Sequence, residues 1–167
     1  MKILIVDDEP ANLALLEALL TSSGYVNVKP VRDSRLVVDT CKSFEPDLIL
    51  LDLMMPNLDG FGVLAGVRAE IADGFLPVVV LTADVTERTK MRALRASATD
   101  FLTKPFDHTE VLVRIANLLE MRRLHRFLDN QRAAFEDALR ARTAELREVT
   151  SQMEELAMPC CATAIVR

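Results

Sequence analysis

Long apolar runs, a basic surplus and a cysteine framework are all missing from this 167-residue chain. No stretch approaches the roughly 18 to 20 apolar residues that span a bilayer. Met1-Lys2 leads straight into an apolar segment, without the ordered regions of a signal peptide. The expected compartment is therefore the cytoplasm, with no membrane partner. Of the three cysteines, Cys41 stands alone and Cys160 and Cys161 are adjacent, which makes neither a disulfide framework nor a spaced zinc site. A net charge of −5 argues against a surface that coats nucleic acid. Gly60, Gly62 and Gly66 lack the dinucleotide-binding spacing and do not follow the first apolar segment, so a Rossmann-type cofactor site is not expected. Between Asp107 and Ala157 glycine and proline are absent altogether, which leaves one long helix uninterrupted.

What is present is a sequence with 50% hydrophobic residues, ample for a packed core. Lys2 to Asp7 reads as a short, continuously apolar strand ending in acid, and Asp7-Asp8-Glu9-Pro10 forms a cap-like acidic turn into a helix. Leu13, Leu16, Leu19 and Leu20 carry the helical period until Thr21-Ser22-Ser23-Gly24 ends it. A weaker strand around Val26 to Val31 precedes a helix with Leu36, Val37, Thr40 and Phe44, which Pro46 stops. Asp47 to Asp52 is the third strand. A helix with Phe61, Leu64, Val67, Arg68 and Ile71 follows the Asp59-Gly60 turn. Pro77 to Thr82 is a fourth strand, Thr86 to Ala96 a helix, Asp100 to Thr103 a fifth strand, and Lys104-Pro105 breaks it. Val111, Leu112, Ile115, Leu118 and Leu119 mark the last helix. Five strands alternating with five helices predict an α/β fold: a parallel sheet covered on both faces, with right-handed crossovers.

In such a sheet the carboxyl ends of strands one, three, four and five share one edge, where ligand chemistry takes place. Here they end in Asp7-Asp8, Asp52, Thr82 and Lys104. Three carboxylates in one cleft repel unless a cation lies among them, and oxygen ligands suit a hard ion such as Mg²⁺. Carboxylates with a metal, a lysine and a hydroxyl make a site for a phosphoryl group, and a carboxylate can itself be the nucleophile that forms an acyl phosphate. Taken singly, each residue has a plainer reading: a helix cap for Asp7 or Asp8, a solvated loop for Lys104, a core side chain for Phe101. Met54 and Met55 fill gaps or lie exposed, and His108 and His125 are expected on solvated helix faces.

Together, Asp7-Asp8, Asp52-Leu-Met-Met-Pro56-Asn-Leu-Asp59-Gly60, Thr82-Ala83 and Phe101-Leu-Thr-Lys104-Pro105 resemble, in order, the response-regulator receiver domain of two-component signalling. The resemblance implies a flavodoxin-like (βα)5 sheet of order 2-1-3-4-5. It also implies that Asp52 accepts a phosphoryl group from a sensor histidine kinase or phosphotransfer protein. Asp8, Asp52 and the Met54 backbone carbonyl would bind Mg²⁺ directly, and Asp7 through water. Lys104 would pair with the phosphoryl group, while Thr82 and Phe101 would form the switch. The chain departs from the family at Ser97-Ala98, where Gly-Ala is usual; serine tolerates left-handed backbone less well, so that turn is expected to be strained. A haloacid-dehalogenase-like phosphatase would need a second Asp two residues after the nucleophile, and Met54 stands there. The expectation is a phosphoacceptor regulator, not an enzyme.

The last helix is expected to run some 50 residues, roughly 75 Å at 1.5 Å per residue. Met121, Leu124, Leu128, Gln131, Phe135, Leu139, Arg142, Leu146, Val149, Met153 and Leu156 step by threes and fours with one stutter. That is a heptad seam for a parallel coiled-coil homodimer. The division is then a receiver domain over 1–120, a coiled-coil extension over 121–157 and a short disordered tail over 158–167. Extensions of this kind resemble connectors to output domains, HD-GYP phosphodiesterases among them, and no output domain lies within these residues. Two expectations stay open: a relay whose coiled coil carries the signal to an output, and a stand-alone receiver that shuttles phosphate or docks a partner through its long helix.

Overall fold

The computed structural model describes residues 1–56, 58–70, 74–84 and 86–157, with the backbone alone at 90, 94 and 155–157. The expected tail, 158–167, lies outside the described residues, as do Ile71 and the Leu156 side chain. The chain divides into two compact units, Met1–His125 and Arg126–Arg167.

In the first unit, β1 (Lys2–Val6), β2 (Asn27–Val31), β3 (Leu48–Asp52), β4 (Val78–Thr82) and β5 (Asp100–Thr103) form one sheet of order β2-β1-β3-β4-β5. Every neighbouring pair is parallel, as the alternating strands and helices require. The three central strands β1, β3 and β4 are buried along almost their whole length, which is why they read as unbroken aliphatic runs. β2 is an edge strand with three exposed residues and tolerates Pro30.

Alternate side chains from the strands build two cores. Ile3, Ile5, Leu48, Leu50, Val79 and Leu81 face helix α1 (Pro10–Ser22) and the first turns of α5 (His108–Ala157), burying Leu13, Leu16, Leu20, Val111 and Ile115. Leu4, Val6, Ile49, Leu51, Val78 and Val80 face α2 (Val37–Phe44), α3 (Gly60–Glu70) and α4 (Glu87–Arg95). Both faces are covered, and because all five strands run parallel their carboxyl ends share one edge.

Local structure departs from the sequence expectation in several places. Leu36 is not part of a helix face: Ser34–Leu36 is a 3-10 turn, Leu36 is exposed, and Cys41 takes the buried position with Val37. Burial pushes the Cys41 thiol up to about 11. Met55 is buried and Met54 exposed. Ser97 adopts the left-handed conformation, φ 64°, in keeping with the strain expected of that turn. Its carbonyl accepts two hydrogen bonds from the Arg68 guanidinium, 3.1 Å from Nε and 2.7 Å from Nη2. The Lys104–Pro105 peptide is cis. His125 is exposed, as expected, and its ring also stacks on Phe75 with centroids 4.4 Å apart. Arg122 donates to the Phe75 carbonyl from the same stretch of α5.

In the second unit α5 continues as a single helix. Leu128, Phe135, Leu139, Leu146, Val149 and Met153 of the seam are all exposed. Arg132 pairs with Glu136 beside the seam, and Arg142, itself on the seam, pairs with Glu145. Among the described residues no helix is long and apolar enough to cross a membrane.

Candidate functional site

The site begins with β1. Its last residue is Val6, and the chain leaves the sheet as Asp7 and Asp8 before Pro10 opens α1. Glu9 occupies the cap position of α1, but its side chain bonds none of the helix's free N–H groups. The carboxylate of Asp7 instead accepts the Glu9 N–H at 2.9 Å. Asp7 is 1% exposed. A buried carboxylate needs several donors, and it has them. Asn12 Nδ2 lies 3.2 and 3.0 Å from Oδ1 and Oδ2, and Lys104 Nζ donates to Oδ2 at 2.8 Å.

Asp52 closes β3, beside Leu81 of β4. It too is buried, with Oδ2 accepting the Met54 N–H at 2.9 Å and Oδ1 accepting Lys104 Nζ at 2.8 Å. The turn that returns from Asp52 to α3 is tight. Gly60 N–H donates to the Leu53 carbonyl, and a Cβ at Gly60 would lie 2.4 Å from the Asp52 carbonyl oxygen. Lys104, just past β5, thus stretches one ammonium between two buried carboxylates.

Electrostatics follow from this crowding. Burial holds the Asp52 carboxyl above the usual carboxylate range; Lys104 pulls it down, and the Asp7 charge pushes it up again. For Lys104, burial pulls downward, but the bonds to Asp52 and Asp7 outweigh it and the ammonium is held above its usual range. One ammonium against Asp7, Asp8 and Asp52 leaves negative charge in the cleft.

One oxygen from each of those three carboxylates lies within 4.8 Å of the others. An all-oxygen donor set of this charge fits a hard divalent cation, Mg²⁺ included. Asp8 is half-buried, the most open of the three. Asp7 already has its oxygens engaged by three donors from the protein.

Of the remaining expected residues, Thr82 ends β4 next to Thr103 and is 2% exposed; its hydroxyl accepts the Asp84 N–H at 3.0 Å, and its carbonyl accepts the Lys104 N–H at 2.7 Å. Phe101 is half-buried against the core under α2, α3 and α4. The structure therefore gathers Asp7, Asp8, Asp52 and Lys104 into one cluster, and places Thr82 and Phe101 on the two adjacent strands. Asn12 was not foreseen. The signal was its place in the first turn of α1, at the same sheet edge as the acidic pair.

Residues 3–116 match the family model described as the response regulator receiver domain. The response regulator PleD of Caulobacter vibrioides is 38% identical over 117 residues, covering 70% of this chain and 26% of PleD. The DNA-binding dual master transcriptional regulator RpaA of Synechocystis is 39% identical over 118 residues, covering 71% of this chain and 48% of RpaA. The chain thus spans about a quarter to a half of the length of these relatives. Among solved structures, the receiver domain of sensor histidine kinase PA1611 from Pseudomonas aeruginosa, with magnesium coordinated in its active-site cleft, superposes with a TM-score of 0.65 at 32% identity. That match covers 71% of this chain and 97% of that one. The chemotaxis protein CheY4 of Vibrio cholerae matches with a TM-score of 0.66 at 27% identity, over 70% of this chain and 97% of that one. With its sheet order, its acidic edge and the family model in agreement, this chain belongs to the response regulator receiver domain family of two-component signalling.

Proposed function

We propose that Asp52 is a phosphoacceptor. The observation that carries the reading is the single ammonium of Lys104 held 2.8 Å from both Asp52 and Asp7, beside an acidic cluster that fits a divalent cation. A carboxylate oxygen of Asp52 attacks the phosphorus of a phosphohistidine on a sensor kinase or phosphotransfer protein. The O–P bond forms as the N–P bond breaks, and the bonding pair returns to the imidazole nitrogen, leaving an acyl phosphate. Asp8, Asp52 and the Met54 carbonyl would hold Mg²⁺, with Asp7 acting through water, and the ion would supply positive charge against the phosphoryl oxygens. Lys104 turns from the carboxylates to a phosphoryl oxygen. Thr82 gives up the Asp84 N–H to reach the same group, and Phe101 follows inward. The chain itself is a cytoplasmic regulator and not an enzyme.

The domain division that accompanies this reading is a receiver over 1–120, a helical extension over 121–157 and a tail over 158–167. The exposed seam from Leu124 to Met153 supports a parallel homodimer of the extension, which carries the switch toward an output. The second reading, a stand-alone shuttle or docking module, takes the same exposed apolar side chains of the long helix as a contact surface for a partner.

Mass spectrometry after treatment with phosphoramidate and Mg²⁺ tests the acceptor: one phosphoryl group is expected on the parent and none on Asp52→Asn, and a persistent mass gain in that variant overturns the assignment. Light scattering tests the assembly, where a monomer at tens of micromolar defeats the dimer.

A further inference from the structure

Lys104 serves two buried carboxylates with one ammonium, and the proposed chemistry asks it to leave one of them. Asp7 is the partner at risk. Its carboxylate is 1% exposed with Lys104 in place, and that ammonium is the one charged donor among its hydrogen bonds. What the protein still offers it is neutral: the Glu9 N–H at 2.9 Å, and the Asn12 amide, which alone touches both oxygens, at 3.2 and 3.0 Å. Asn12 is half-buried and stands in the first turn of α1, on a helix anchored into the sheet by Leu13, Leu16 and Leu20.

We propose that Asn12 is a positioning residue that keeps Asp7 satisfied when Lys104 moves to a phosphoryl oxygen on Asp52, and so sets how readily the phosphorylated state forms. The inference rests on Asp52 being the acceptor. Without the amide, Asp7 would depend on Lys104 for its remaining side-chain bond, and the ammonium would be held back from the reacting phosphoryl group. A hydrogen bond to a charged group is worth enough to make the effect tenfold or more. The amide adds no charge of its own. An acidic replacement would therefore do worse than a plain deletion, because it would place a fourth carboxylate against Lys104.

The test measures the rate of phosphorylation by phosphoramidate at saturating Mg²⁺, read by mass spectrometry, alongside urea unfolding in EDTA and Mg²⁺ titration by calorimetry. In N-protonated phosphoramidate the P–N bond breaks as the O–P bond forms and neutral ammonia leaves with the bonding pair, so no partner protein is needed. Asn12→Ala is expected to slow the reaction about tenfold, Asn12→Asp further, and Asn12→Gln, which keeps the amide, to stay within about threefold of the parent. In a Lys104→Met background, with no ammonium to release, Asn12→Ala is expected to change the rate by less than about twofold; a merely structural role would give the same fractional loss in both backgrounds. If Asn12→Ala does not fold, Asn12→Ser carries the same comparison. A parent that is phosphorylated alongside an Asn12→Ala variant of equal rate overturns this inference alone, whereas a parent that gains no phosphoryl group overturns the acceptor reading and the inference with it.

Discussion

Replacing Gly60 by alanine puts helix propensity and tertiary packing in direct opposition. Gly60 is the first residue of α3. By propensity alone, alanine there should stabilise the helix by about 1 kcal/mol. The structure reverses the sign. A Cβ at Gly60 would sit 2.4 Å from the Asp52 carbonyl oxygen and 2.7 Å from Leu53 Cα, and both are backbone atoms that no rotamer change can move. Overpacking of this kind costs about 1 to 3 kcal/mol, and a clash with backbone belongs at the upper end. Offset by the propensity gain, the net loss is about 2 kcal/mol. With a urea dependence of about 2 kcal/mol/M, the unfolding midpoint should fall by about 1 M at unchanged slope. Gly66→Ala is the control, since its Cβ would meet only the Val38 Cγ2 methyl at 3.0 Å, a side chain able to yield. That variant should stay within about 0.5 kcal/mol of the parent or exceed it. An unchanged or raised midpoint for Gly60→Ala would refute the packing argument. The displaced turn also carries Met54 N–H, a donor to Asp52, so the phosphorylation rate should fall with stability.

Other outcomes follow from the charges and the backbone. Asp52 has its carboxyl raised above 3.8, chiefly by burial, so its protonated form favours folding. That contribution is fully present below pH 3.8 and is lost as pH rises through the raised folded value. Asp52→Asn should therefore gain stability relative to the parent as pH rises toward 7, and the gain should vanish on acidification; thermal unfolding across pH checks both the sign and the window. Mg²⁺ at one hundred times its dissociation constant should raise stability by about 2.7 kcal/mol, EDTA should reverse it, and Asp8→Asn should blunt it, all readable by thermal melts. Ser97→Gly relieves a left-handed serine at φ 64° and keeps the carbonyl that Arg68 binds. Urea unfolding should show a gain of about 0.5 to 1 kcal/mol, after the extra entropy of glycine in the unfolded chain is subtracted.

The reversal at Gly60 illustrates where sequence reading stops. The glycine was legible as a turn residue beside Asp59, yet its tolerance for a methyl group depends on how closely α3 returns to β3. The same holds for Lys104. Its place after the fifth strand and before a proline marked it as a site residue; that its ammonium is shared between Asp7 and Asp52 depends on the relative height of three strand ends. Leu36 left the buried face because it lies in a 3-10 turn ahead of α2, while Cys41 joined Val37 on that face, and a single apolar period does not report where the helix begins.

By itself the sequence determined the alternation of elements, the parallel sheet and its two covered faces, and the identity of the acidic edge. Those properties depend on the hydrophobic period and on which residues end the strands, and both are local. Only the tertiary structure decided what each polar group at that edge touches. Asn12 became a partner of Asp7, Asp7 became engaged by protein donors, and His125 became stacked on Phe75. Hydrogen bonds and ring contacts reach only a few ångströms and join residues far apart in the chain, so they exist only once the sheet has brought those residues together.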